Sequence, residues 1–551
     1  MNEAQPPHPE YPMSGRRLIR SRGVRVLPTA SAFLSLVFGG CGGERAAPVA
    51  PSAPDTVAPT TPDTVVASIR ITPSERTIGF LGTRFNTGAA ALAADGTTLY
   101  RSNRDPGRFA WSSSAPEIAS VSADSILSTG GSTRTVTGLS DGTATIAATS
   151  QGVTGRLTVT VRERARVAWS VPLDWSFPEG RAEASIRAGV AIGADGTIHV
   201  GWNDDPAQTS HWYALSPQGG ILWTVDMPGL TSWGMPAIGA DGTLYFGSYI
   251  GSTGSLVAVD PGGSIRWILD NLDPISSSPA IGPDGTIHVA GGRHVHAVDP
   301  RGEIRWTYET PVRTFTSSSP AVASDGTIYV GGDDNALHAI NRDGSPQWKF
   351  QTEDLVRAPP SIGADGTIYV AAYDGRLYAV DPDGSERWSA VLMRTPEGFE
   401  GASADINSPP SVGPDGAIYV LSDGLFAINP DGSIRWHFNS RTSSYRTTPI
   451  LGADGNVYLG SGFAVTALDA QGRLLWDYNP GDVRDSSPAK RHVLASPAIG
   501  VDGTIIATSF SETDGGAIHG IVETEAANGG YAGSPWPTQR GNRANTGRAG
   551  G

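Results

Sequence analysis

Residues 278–306 read SPAIGPDGTIHVAGGRHVHAVDPRGEIRW, and the fold follows from this stretch. A short small-apolar strand reaches Asp284-Gly285, whose preference for positive φ suits a two-residue hairpin into Ile287-His288-Val289. A third strand, His294 to Val298, meets Asp299-Pro300-Arg301-Gly302, a second tight turn, and a fourth strand carries Trp306. The unit recurs. Asp-Gly stands at Asp195, Asp241, Asp284, Asp325, Asp365, Asp415, Asp454 and Asp502, at intervals of 39 to 50 residues. Strand four carries Trp223, Trp267, Trp306, Trp348, Trp388, Trp436 and Trp476 in seven copies. An indole packed between neighbouring sheets buries about 150–250 Å², so truncating one is expected to cost about 3–5 kcal/mol.

The eighth copy lacks its fourth strand after Ala517-Ile518-His519-Gly520-Ile521, but Arg166-Val167-Ala168-Trp169-Ser170 upstream matches the missing piece. The N-terminal strand is therefore expected to complete the last sheet, which removes the open edges of a linear array. Four-stranded repeats of this length predict a β-propeller, here of eight blades over residues 166–547.

Composition agrees with an all-β chain. Of 551 residues, 70 are Gly and 41 Pro, and charged residues make up 17% against the usual quarter, while 39% hydrophobic residues suffice for packed cores. The formal charge is −14 and no basic stripe runs through the repeats, so nucleic acid is not an expected partner.

The repeats resemble the PQQ-like (BamB/quinoprotein-type) propeller repeat family, whose members include quinoprotein dehydrogenases and an outer-membrane assembly lipoprotein. The tail from Trp536-Pro537-Thr538-Gln539-Arg540-Gly541 to Thr546-Gly547 resembles a segment flanking such propellers. Ahead of them, residues 65–162 alternate as short strands separated by turns such as Asp95-Gly96 and Asp141-Gly142, a pattern that suits a small sandwich. Ile71-Thr72-Pro73-Ser74, Phe109-Ala110-Trp111-Ser112 and Gly138-Leu139-Ser140-Asp141-Gly142-Thr143 resemble the group 2 bacterial immunoglobulin-like (BIG2) domain. That resemblance implies a spacer, with Trp111 filling the inter-sheet core.

The N-terminus reads as an export signal: Arg16, Arg17, Arg20, Arg22 and Arg25 precede an apolar run over residues 26–38, then Gly39-Gly40-Cys41. The apolar run is too short to span a membrane. This arrangement resembles a lipoprotein signal peptide (residues 1–40, or starting at Met13), which implies lipidation of Cys41 and anchoring at the outer membrane, Gly42 lacking the retention aspartate. Cys41 is the one cysteine, so no intrachain disulfide forms. Residues 41–64 form a Pro-, Ala- and Thr-rich tether.

In a four-stranded blade the strand one-to-two and three-to-four turns share one face, here short and uniform. The opposite face varies, with long stretches at 203–210, 391–407 and 480–493. Varied loops on a rigid scaffold are where binding concentrates. Trp202, Trp212, Trp233, Tyr249, Arg313, Arg357, Tyr373, Arg394, Tyr445 and Arg446 fall in or beside such segments and are interface-type residues. His294, His296 and His338 invite a metal reading, but within the repeats His296 aligns with His338, Tyr378 and Phe426, and His288 with Tyr329 and Tyr369, which marks packing positions. No nucleophile elbow, zinc-protease motif or phosphate loop is present, and the family enzymes' vicinal cysteine pair cannot form. The sequence therefore predicts no catalytic residues, no metal and no cofactor. The expected function is that of a monomeric, lipid-anchored envelope protein whose propeller binds a protein or glycan partner. The alternatives are a BamB-like assembly scaffold, or a quinone-dependent dehydrogenase or other propeller enzyme.

Overall fold

The computed structural model describes residues 65–524 apart from 102–108, 123–124, 127–131, 174–183, 186–188, 205–207, 232–233, 311–313, 316, 393–405, 440–446, 461–463, 481–494 and 512–514. The stretches read as signal peptide and tether, Cys41 and the C-terminal tail thus lie outside the described residues.

The described residues from 65 to 161 fold as two facing sheets. Strand Ser68–Thr72 joins one sheet and Glu75–Ile78 the other, with a cis Thr72-Pro73 bond between them. Alternation does the packing: Gly142–Ser150 and Val153–Val161 point Ile146, Ala148, Leu157 and Val159 inward, all fully buried. Trp111 is half-buried and packs against the margin of this core instead of filling it, because its strand, Ala110–Ser113, lies at the sheet edge.

Eight further sheets follow among the described residues, each ordered from an inner two-residue strand to an outer strand carrying the tryptophan. The blade read above contains Ala280–Ile281, Ile287–Gly291, His294–Val298 and Ile304–Glu309, all antiparallel. We number the blades 1 to 8 by their Asp-Gly turns. In each turn the Asp Oδ1 accepts the backbone N–H two residues on, as Asp284 does from Thr286 at 3.1 Å. In blade 8 the inner strands Ala498–Ile499, Ile505–Ser511 and Gly515–Glu523 take Ala165–Leu173 as their outer partner, Ser170 facing His519 and Val171 facing Ile518.

Each indole fastens its blade to the next. Trp223, Trp267, Trp306, Trp348, Trp388 and Trp436 donate Nε1–H to a carbonyl in the following blade's three-to-four turn at 2.9–3.0 Å, and Trp169 reaches from blade 8 to Pro217 of blade 1 at 3.1 Å. The turn's last glycine lies flat on the same indole: Gly302 has φ +91°, and a Cβ there would stand 2.9 Å from the Trp267 ring. Two independent constraints, conformation and contact, thus require glycine. The exception is Trp476, whose indole donates to the Glu523 carboxylate at 2.8 Å. Blade 8 has no three-to-four turn to offer a carbonyl, since its last two strands come from opposite ends of the array.

A second set of bonds joins successive inner strands. Ser278 Oγ accepts from Met235 N and Ser319 Oγ from Ser278 N, each at 2.8 Å, while Ser361 and Ser411 donate to Pro410 and Pro449 carbonyls at 2.6 Å.

The sandwich packs directly on the propeller. Gly79 lies so close that a Cβ would meet the Leu475 carbonyl at 2.2 Å, Phe80 packs on Trp476 and Tyr478, and Arg76 pairs with Asp477 at 3.6 Å. The backbone N–H of Arg164, in the three-residue connection to blade 8, donates to Gly79 O at 2.8 Å. Trp476 is consequently 1% exposed, whereas the other outer-strand indoles are only half-buried. Truncating one of those is expected to fall at the lower end of the anticipated cost, about 3 kcal/mol.

Candidate functional site

On the face opposite the Asp-Gly turns, blades 4 and 5 bring together two of the residues singled out from sequence. Strand Ile328–Gly331 runs into Gly332-Asp333-Asp334-Asn335, with Asn335 at φ +60°, and strand Ile368–Ala371 into Ala372-Tyr373-Asp374-Gly375. The segment between the blades is pinned to both turns: Val356 N donates to Gly332 O at 3.1 Å and Tyr373 N to Leu355 O at 2.9 Å. Arg357 is thereby placed to donate through Nε and Nη2 to Asp333 Oδ1 and Oδ2 at 2.7 and 3.0 Å, with its guanidinium 5.5 Å from the Tyr373 ring centroid. The Asp333 hydrogen bonds raise the Arg357 pKa further, so the group is a fixed cation. It is only one-third exposed.

Beside it Asp334 accepts from Lys349 Nζ at 3.1 Å and holds His338 Nε2 at 3.0 Å, while Tyr308 OH bonds His338 Nδ1 at 3.1 Å. Burial pushes the Asp334 carboxyl up, but the hydrogen bonds and charges of His338 and Lys349 outweigh it and hold it low. In blade 5 Tyr378 donates to Asp374 at 2.5 Å, and burial followed by this bond raises its pKa. In blade 3 Asp273 bonds His294 at 2.9 Å and Arg293 pairs with Glu309 at 2.5 Å. The surface is a row of paired charges over buried aromatic rings, and His296 and His338, like His288, are buried at the positions that repeat alignment assigns them, while His294 is partly exposed.

Other expectations are corrected. Trp212 is fully buried and stacks on Phe246 at 4.3 Å, so it is a core side chain and presents no binding surface. Its position in strand three is that of Leu256, Val295 and Leu337, all core residues. Trp202 is 5% exposed because its strand, Ile198–Asp204, extends into what reads as loop, and it stacks on His211 at 4.1 Å. Tyr249 is half-exposed at the end of strand Leu244–Ile250, its backbone bridged to Leu230. Trp233, Arg313, Arg394, Tyr445, Arg446 and Cys41 lie outside the described residues. Sequence reasoning missed Asp333, Asp334, Asp374 and Lys349. The acidic residues following strand two were the available signal.

Residues 252–429 match the family model for the outer membrane protein assembly factor BamB. Residues 89–161 match the model of the group 2 bacterial Ig-like domain. The chain carries PQQ-like propeller repeats behind an Ig-like domain. Among solved structures it is similar to BamB from Moraxella catarrhalis, with 18% identity over 66% of this chain and 98% of that one and a TM-score of 0.48. It is also similar to a europium-containing methanol dehydrogenase (14% identity, 65% and 93% covered, TM-score 0.47). A third is the quinohemoprotein alcohol dehydrogenase from Comamonas testosteroni (16% identity, 67% and 77% covered, TM-score 0.47). No curated protein matches the chain. Identities this low carry no statement of activity.

Among the described residues no three His, Cys, Asp or Glu side chains converge on one point, and the single cysteine rules out a vicinal pair.

Proposed function

We propose that the protein is a non-enzymatic, lipid-anchored lipoprotein of the cell envelope whose propeller is a rigid platform for a protein or glycan partner. The Asp333–Arg357–Tyr373 assembly carries this reading. A guanidinium already fixed by a bidentate carboxylate and an aromatic ring loses little side-chain entropy when a partner docks, which is how a preorganised anchor raises affinity. A stable complex there needs roughly 1,200–2,000 Å² of total buried area, well within the reach of two or three blades. The BamB match over residues 252–429, which includes this assembly, favours an assembly scaffold as the particular version.

The test is cross-linking in native envelopes followed by affinity capture, comparing the wild type with the double variant R357A/Y373A. A captured partner falling at least tenfold in the variant is expected; unchanged capture overturns the choice of face. Titration with calcium and pyrroloquinoline quinone addresses the enzymatic alternative. Saturable, stoichiometric uptake with substrate-dependent dye reduction would replace the binding reading.

A further inference from the structure

On the other face, between blades 3 and 4, a cavity of about 220 Å³ is lined by Asp284, Thr286, His288, Arg305, Trp306 and Arg342, among others. Two departures from the repeat make it. In strand two, blades 2, 5 and 6 carry Tyr245, Tyr369 and Tyr419 beside an Arg–Asp pair: Arg266–Asp241, Arg387–Asp365 and Arg435–Asp415. Blade 3 keeps the pair, Arg305–Asp284, but has His288, whose shorter ring leaves the phenol's place vacant. In the three-to-four turn, where five of the seven turns have Pro, blade 4 has Arg342. Its stem lies over Gly326, 3.1 Å from where a Cβ would stand, and its head crosses to Asp284 of blade 3 at 2.9 Å. Blade 1 also has a histidine, His199, but Leu222 replaces the arginine and the next turn keeps Pro261. Among the described residues, only this seam combines the shorter ring with two arginines.

The chemistry of the lining is selective. His288 lines the cavity at 3% exposure, and its Nδ1 is buried with no hydrogen-bond partner, as is that of His199 in blade 1. Burial pushes its pKa down to about 4, so the ring is neutral at neutral pH. Burial raises the Asp284 carboxyl, but hydrogen bonds from Thr286 and Arg342 more than reverse this, and it stays ionised. Two guanidiniums and one carboxylate leave a net charge of +1.

We propose that this cavity is a binding site for a small carboxylate monoanion, of the size range from acetate to a sugar acid. The planar guanidinium fork matches a planar carboxylate, and one negative charge balances the lining. A phosphate dianion would bring a second charge against Asp284. The site stands on the opposite face from the Arg357 assembly and does not rest on the partner reading.

Saturation-transfer NMR on the full chain tests it, with acetate and glucuronate as probes and inorganic phosphate as competitor. The variants H288Y and R342P each install what sister blades already carry, so both are expected to fold, as a melting curve verifies. Saturable transfer to both carboxylates, reduced at least fivefold in each variant and undisturbed by equimolar phosphate, is the expected result. No transfer in the wild type, equal transfer in either folded variant, or displacement by equimolar phosphate would each overturn the proposal.

Discussion

At the scale of single residues, the repeat is held by pairs whose members belong to different blades. Gly302 illustrates the sharpest requirement. Alanine there must hold φ near +91° and place its methyl against Trp267, so Gly302→Ala is expected to lose about 1–3 kcal/mol in urea unfolding. The buried histidines set a pH dependence. Burial lowers His199 and His288 from 6.5 to about 4, so between those values the unfolded chain binds protons that the fold refuses. Stability is therefore complete above about pH 6.5 and drains as pH falls toward 4, by up to about 3 kcal/mol per ring. Urea midpoints at pH 7.5 and 4.5 check the sign, and the double variant H199Y/H288Y, restoring the tyrosine of five other blades, should reduce the slope, leaving the share of His296, which burial also lowers to about 4. These core positions were legible because each blade states them again: Trp212 could have been read as core from its alignment with Leu256 and Val295. The Arg357–Asp333 pair was not, because its partners are 24 residues apart in adjacent blades and neither is repeated.

Among the elements, the seam of blade 8 behaves differently from its seven neighbours. Every other outer strand arrives through a tight turn, but Ala165–Leu173 is held by pairing and side chains alone. His519 bonds Ser170 at 2.9 Å and Ser509 at 2.8 Å, tying three strands together, and Gly520 admits the Trp169 indole where the other blades have alanine. Glu523 substitutes for the missing turn by accepting from both Trp476 and Tyr458, the latter at 2.9 Å. Glu523→Ala leaves two buried donors unpaired and is expected to cost about 2–3 kcal/mol, with Glu523→Gln recovering part of it in thermal unfolding. The pairing of Ala165–Leu173 with the last sheet could be read in advance because Trp169 carries the strand-four signature. The role of Glu523 could not, since it compensates for an absence that exists only once the sheet has formed.

Across the whole molecule, the Ig-like domain is joined to the propeller by contact as well as by chain. The spacer expected from resemblance is a buttress: Gly79, Phe80 and Arg76 seat it on blade 7. Gly79→Val should force the two apart, seen as a second, earlier melting transition and a larger radius of gyration by small-angle scattering. A single unchanged transition would show that the contact contributes little. If Cys41 is lipidated as proposed, Cys41→Ser should shift the protein from the detergent phase to the aqueous phase in Triton X-114 partitioning. Whatever docks on the blades is then held at a set angle to the Ig-like domain, not swung on a hinge. The order of synthesis adds a constraint. Ser170 and His519 are 349 residues apart, so the earliest strand of the torus emerges from the ribosome long before its partner exists. Until then its hydrogen-bonding edge is open to strangers, and joining the ends must overcome the entropy of the longest loop in the domain. A nascent chain caught at that stage is a broken circle with two adhesive ends, and two such chains could each complete the other.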